Sequence, residues 1–558
     1  MKRSPILTAA VVLVLGAPAA RALAQTTPVR PPANQASPST DAVSEAYYLF
    51  LQARTLEARG QLDAAIAAHR RAIELLPQAA EPHAELAALY ARDGRAQEAI
   101  TEAEAALALD PDSREAHRIL GFVQSALSER IPPQGGTIAM VAEAIGHLEK
   151  ALVGRRDPGM ELTLSRLYLR NQQYAEATKS LREFLLMQPG YPDALQMLAV
   201  SLQAQGDVNG AIEVLTEALR AAPDEPRARV QLAEMLEVAG KWPEAAALWG
   251  GLAKTAPTSA LYRTRQATAQ LNAGDTAGAQ ETLLAFTRDL PREPIGWYLL
   301  SQVERRLGNL DAAEAAARRI LEQDPDDPRG LLALAQTKTV RGDFRAVIDT
   351  LQARVDSPRA GDNDTGLHAR LAGELANAYR QTGDPARALQ ILEAAATRTP
   401  DDDDLIFDLS AMYEQAGQID KAESGFRDLI ARDPRNASAL NYLGYMLAER
   451  GQKLDEAVML VRRALLIDPE NTSYLDSLGW ALFKRGQASD ARAPLEKAAA
   501  GRPTSSVIQA HMGDVYFELK DYRAAVAAFE RALAGDKQGI DVDDVTRKRN
   551  RARELAGR

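Results

Sequence analysis

Five prolines, Pro189, Pro223, Pro257, Pro291 and Pro325, stand 34 residues apart, and an alanine lies twelve residues before each: Ala177, Ala211, Ala245, Ala279 and Ala313. A fixed period of this length marks a chain built by stacking one supersecondary unit on the next. Between each alanine and its proline the apolar residues recur with helical spacing, as in AIEVLTEALRAAP ending at Pro223. A second such run precedes each alanine, so the unit predicted is two helices and a tight turn. Length then says little about domain number, because 558 residues in a stacked array enlarge no single core.

The register carries its own test. If the two helices of a unit cross closely, the residue twelve before the alanine must be small. Those residues are Ala53, Ala87, Gly121, Ser165, Ala199, Ala233, Ala267, Ser301, Ala335, Ala376, Ser410, Gly444, Gly479 and Gly513. The third requires an insertion and Gly444 one extra residue. Between the small residue and the alanine stands a glycine in eleven units, from Gly60 and Gly94 to Gly451 and Gly486, expected to end the first helix in the left-handed conformation. The proline, lacking an N–H, is expected to end the second.

Small residue, glycine, alanine and proline at these spacings resemble the tetratricopeptide repeat family. The resemblance implies an all-α solenoid, a right-handed superhelix of about fourteen helix-turn-helix repeats. Two interruptions divide the array: block 1 at 44–155 holds three repeats with an insertion near 128–138, read as a loop, and block 2 at 156–355 holds six. An insertion loop at 356–366 precedes block 3 at 367–540, with five repeats. The last stretch, 541–558, starts with Asp541 to Asp544 and continues through Arg547, Lys548, Arg549, Arg551 and Arg553. It reads as a polar capping helix, which the end of a solenoid requires, a basic binding patch being the alternative.

The opening MKRSPILTAAVVLVLGAPAARALAQ joins Lys2 and Arg3 to a short apolar run and the triplet Ala22-Leu23-Ala24. This predicts a secretory signal over 1–24 cleaved after Ala24, with an uncleaved anchor as the alternative. A Pro/Ser/Thr-rich linker follows at 25–43. The chain has no cysteine, so no lipoprotein anchor, disulfide or thiolate metal site is expected. The expected location is the periplasm, without stable membrane insertion. Net charge is −10, and removal of Lys2, Arg3 and Arg21 with the signal makes it more negative, which argues against nucleic acid.

The repeats leave no room for a catalytic domain. The six histidines, His69, His83, His117, His147, His368 and His511, show no paired metal spacing and read as ordinary helix residues. The run Asp401 to Asp404 reads as a helix start rather than a cation site. No enzyme, cofactor or metal is predicted.

Members of the resembled family bind peptides or helices in the concave groove lined by their first helices. No three consecutive first helices here supply the Lys, Asn and Arg set with which some members hold a terminal carboxylate. The candidate groove lies instead in the C-terminal third: Phe407, Asp408, Asn441, Tyr442, Tyr445, Asp476, Ser477, Trp480, His511 and Asp514. Aromatics interleaved with amides and acids anchor peptide interfaces, although Tyr442, Tyr445 and Trp480 also suit packing between repeats. NYLGY followed one repeat later by LDSLGW resembles the C-terminal repeats of exported proteobacterial tetratricopeptide proteins, one of them the lipoprotein adaptor of a carboxyl-terminal processing protease. The implied function is a periplasmic scaffold or adaptor for protein partners, among them an envelope protease. The alternative is an assembly factor for secretion, pilus or polysaccharide export.

Overall fold

A computed structural model describes residues 39–130, 135–357 and 365–557, and among these every regular element is a helix. The chain forms two compact units, Met1–Asp224 and Glu225–Arg558. The first carries α1 (Thr40–Ala58), α2 (Leu62–Leu75), α3 (Ala80–Arg92), α4 (Ala96–Leu109), α5 (Arg114–Glu129), α6 (Gly135–Leu152), α7 (Pro158–Arg170), α8 (Tyr174–Met187), α9 (Pro192–Ala204) and α10 (Val208–Ala221). The second begins with α11 (Pro226–Val238), α12 (Trp242–Thr255), α13 (Ala260–Asn272), α14 (Thr276–Asp289), α15 (Pro294–Arg306), α16 (Leu310–Leu321), α17 (Pro328–Arg341), α18 (Phe344–Asp356), α19 (Thr365–Gln381) and α20 (Pro385–Arg398). It continues through α21 (Asp403–Gln415), α22 (Ile419–Arg432), α23 (Ala437–Glu449), α24 (Leu454–Ile467), α25 (Thr472–Lys484), α26 (Ala488–Gly501), α27 (Ser506–Glu518), α28 (Tyr522–Ala534) and α29 (Val542–Ala556).

Consecutive odd and even helices pair, giving fourteen helix pairs, and α29 packs on α28. All fourteen register residues of the second helices, Ala65 to Ala525 with Val347 in the alanine's place, are fully buried. Opposite them a Cβ added to Gly444 would sit 2.6 Å from Val461, and one added to Gly121 2.5 Å from Leu148. The crossings are therefore as close as the small residues require. The second helices end two residues before Pro189, Pro223, Pro257 and Pro291. Apolar burial runs along each unit as a series of clusters, for example Tyr298 to Met412 and Ile406 to Ala528 in the second.

All eleven turn glycines have positive φ. In the fourth and last repeats the same position is held by Gln172 (φ 58) and Lys520 (φ 64), where an L side chain costs about 1 kcal/mol. Gln172→Gly and Lys520→Gly are each expected to raise stability by about 0.5–1 kcal/mol, measured by chemical denaturation; a loss in both variants contradicts the account. The extra residue after Gly451 is absorbed by Lys453, itself left-handed at φ 45.

Some boundaries differ from those expected. Helix α1 begins at Thr40, inside the stretch read as linker, because Ser39 caps it by accepting from the Ala42 N–H. The insertion near 128–138 is not wholly a loop: Ser128 and Glu129 end α5, and Gly135 starts an 18-residue α6. Likewise Asp356 belongs to α18, and Thr365 and Gly366 open α19. In both places the flanking helices extend into the inserted sequence. The signal and the rest of the linker lie outside the described residues. No helix among the described residues is long and apolar enough to cross a membrane.

Candidate functional site

Successive first helices in the second unit pack directly on one another, α15 on α17, α17 on α19 and α23 on α25. Each free face is therefore set by the small residue at its crossing, because a helix that buries that residue against its partner turns the residues three before, two before and one after toward the neighbouring first helix. Those positions give Phe407, Asp408 and Ala411 on α21, Asn441, Tyr442 and Tyr445 on α23, Asp476, Ser477 and Trp480 on α25, and Ala510, His511 and Asp514 on α27. All ten expected residues fall on this register.

The structure separates them into two groups. Asp476, Ser477, Trp480 and His511 are buried and serve the contact between repeats. The Trp480 indole stacks on the His511 ring with centroids 3.9 Å apart and planes at 14°. Its Nε1–H donates to Glu449 Oε2 at 2.5 Å, and His511 Nδ1 pairs with Asp476 Oδ1 at 2.9 Å. Ser477 Oγ donates to the Ser473 carbonyl. Asp514 is engaged by the last helix, its Oδ2 2.9 Å from Lys548 Nζ. Burial holds its carboxyl above the usual range and Lys548 opposes that.

The others are less enclosed: Phe407, Asn441, Tyr442 and Tyr445 are half-buried and Asp408 is exposed. Phe407 meets Tyr442 edge-on at 5.5 Å, and Tyr442 stacks on the buried Phe426 at 4.6 Å. Burial, with Glu414 nearby, pushes the Tyr442 hydroxyl up to about 12, and burial likewise raises that of Tyr445. Asn441, Tyr442, Tyr445, Asp476 and Ser477 line a cavity of about 500 Å³ together with Ser473, Arg502 and Asp536. The Asn441 Oδ1 has no hydrogen-bond partner. The cavity can take up a chain that supplies apolar surface to the two tyrosine rings and polar groups to its serine, arginine and aspartate side chains.

A second cavity of about 520 Å³ lies on the preceding first helices and was missed from the sequence apart from Asp408. Gln336 of α17, Arg370, Glu374, Asn377 and Arg380 of α19, and Asp404 and Asp408 of α21 line it. Desolvation in this cleft, then the like charges of Asp404, Asp402 and Glu374, hold the Asp408 carboxyl above the usual range. Glu374 and Asn377 occupy the same register about Ala376, a signal that a search led by aromatics passes over. Asp402 behaves as a helix start, its Oδ1 accepting from the Leu405 N–H at 2.9 Å.

Models of the tetratricopeptide repeat match residues 50–114, 264–328 and 332–403, and others of that description match 168–229, 202–268, 379–444 and 508–536, together more than half of the chain. Cellulose synthase operon protein C of Xanthomonas axonopodis pv. citri is 29% identical over 37% of this chain and 14% of its own length. A TPR repeat-containing protein of Pseudomonas aeruginosa is 29% identical over 25% of this chain and 26% of its own. Cellulose synthase 1 operon protein C of Komagataeibacter xylinus is 27% identical over 27% of this chain and 11% of its own. The chain thus spans about a quarter or less of the length of these curated relatives.

Proposed function

Because the chain belongs to the tetratricopeptide repeat family, we propose that it is a non-catalytic scaffold of the bacterial cell envelope, holding protein or peptide partners against the first-helix face of its second unit. The observation that carries this reading is the cavity on one register lined by Asn441, Tyr442, Tyr445, Ser473, Arg502 and Asp536. Aromatic rings beside polar side chains offer both apolar area and hydrogen-bonding groups to a bound chain. The opening sequence, with its basic start, apolar run and Ala22-Leu23-Ala24, supports export and a periplasmic location.

Two versions of the scaffold are open to test. Resemblance to two cellulose synthase operon proteins favours a part in assembling a polysaccharide-export machine. The NYLGY and LDSLGW repeats support the adaptor of a carboxyl-terminal processing protease.

Trp480 is a poor residue with which to test either, because its removal would disrupt the contact between repeats. The informative variant is Asn441→Ala with Tyr445→Ala, used beside the unaltered chain to capture partners from periplasmic extract, with circular dichroism to check that the helices persist. One partner is expected to fall by about tenfold or more, as for loss of an interface anchor. Equal recovery of every partner places the site elsewhere, and the identity of the lost protein, a protease or an export component, separates the two versions.

A further inference from the structure

The residue five before the small one of each first helix faces the repeat that precedes it. On α15 it is Gly296, where an added Cβ would lie 3.2 Å from Phe286 of α14. On α13 it is Tyr262, whose ring stacks on Trp249 of α12 with centroids 5.8 Å apart. Among the thirteen first helices after α1 this residue is buried in eleven, Ala116, Leu371 and Ile508 among them, and half-buried as Tyr262 and Tyr474 in the other two. On α1 it is Tyr48, and there it is 66% exposed, because no helix among the described residues precedes α1.

Tyr47 (65% exposed), Leu51 (55%) and Val43 (39%) lie open beside it. Val43, Tyr47 and Leu51 follow the i, i+4, i+8 spacing that lines one face of a helix. Away from that face, Ala46 and Ala53 are buried where α1 pairs with α2. Helix α1 is therefore apolar on two sides, the pattern of a helix that is covered on both.

We propose that this face joins two copies of the chain in an isologous pair, first repeat against first repeat. The four side chains leave about 400–500 Å² of mostly apolar surface open on each copy, the size at which a patch marks an interaction site. Pairing removes about twice that, and the flanking Ser44, Arg54 and Thr55, all exposed, bring it to the size of a small specific interface, about 1,000 Å². The chain's own upstream sequence offers no substitute: residues 25–38 hold Val29 as their one large apolar residue besides prolines. Head-to-tail stacking is blocked at the other end, where α29 packs on the last repeat and turns Arg547, Arg551 and Glu554 outward. An apolar face whose only match is itself closes by a two-fold axis.

The test is sedimentation velocity of the purified full chain from about 1 to 100 µM, the range in which an interface of this size associates. Mass spectrometry establishes where the purified chain starts. The expected result is a monomer–dimer equilibrium, weakened about tenfold or more in Tyr48→Glu, with the helicity of the variant checked by circular dichroism. A second variant leaves the tyrosines intact. Because the chain has no cysteine, Ser44→Cys is expected to give a dimer with a short thiol cross-linker at concentrations where Leu466→Cys, 84% exposed on α24, gives none. Should Tyr48→Glu lose helicity, the two cysteine variants decide. A monomer at every concentration, equal association in a helical Tyr48→Glu, or equal linking at both cysteines overturns the proposal. So does an assembly larger than a dimer, or association found only in chains that retain residues 1–24.

Discussion

Leucine in place of Gly479 is expected to destabilise the last three repeats by about 3 kcal/mol, the upper range for overfilling a packed core. A Cβ at this position would already lie 3.0 Å from Leu495 Cδ1, closer still to its Cγ, and 3.1 Å from the carbonyl oxygen of Ala491. The Leu495 side chain is fully buried and the carbonyl is backbone, so relief requires α25 and α26 to part. Helix propensity works the other way, favouring leucine over glycine by about 1 kcal/mol, and is outweighed. Gly251 supplies the control: it is also helical, but nothing lies within 4 Å of its added Cβ, so alanine there should be neutral or stabilising.

Because each repeat of a solenoid touches only its neighbours, the loss at Gly479 should be local. Hydrogen exchange read by mass spectrometry should show faster exchange in α23 to α28 and little change in α11 to α16. Uniform acceleration along the second unit, or none in α25, would count against the close-crossing account.

The second large effect is a dependence on pH in the first repeat. His69 on α2 is 0% exposed, neither ring nitrogen has a hydrogen-bond partner, and Phe50 packs edge-on against it at 5.5 Å. Burial lowers its pKa to about 4, only partly offset by Glu57, with Arg54 adding to the depression. Above pH 6.5 the imidazole is neutral in both folded and unfolded chains and contributes no slope. Below that, the unfolded chain takes up a proton that the folded one refuses, so stability falls as pH drops toward 4 and levels off beneath it.

The full difference is roughly 3 kcal/mol. His69→Leu should abolish this part of the slope, and also stabilise the repeat near pH 7 by about 1–3 kcal/mol, since two buried nitrogens no longer go unpaired. The check is exchange of the α1 and α2 amides from pH 7.5 to 4.5, corrected for intrinsic rates. Parallel pH slopes in the variant and the unaltered chain would show that His69 is not the cause.

Residues that share one register end in different surroundings for an identifiable reason. Trp480 and His511 share the register of Asn441 and Tyr445, yet they interlock while the latter line a cavity. Spacing along a helix says which face a residue occupies. It does not say how far the next helix has slid along the axis, and that displacement brings the indole over the imidazole. Asp514 illustrates the same point at the end of the array, where Lys548 of α29 reaches its carboxylate from 34 residues away.

What the sequence determined by itself is the repeated part of this protein: the fourteen helix pairs, their close crossings at residues such as Ser165 and Gly479, and the left-handed turns at Gly60 through Gly486. These follow from backbone sterics and side-chain volume, which act over a few residues and recur with the period. Tertiary structure alone decided which polar groups pair and which stay open: the meeting of His117 with His147, the stack of Trp480 on His511, and the cleft of Arg370, Asn377 and Asp408. Pairing between helices depends on relative displacement and rotamer, and neither leaves a periodic trace in the chain.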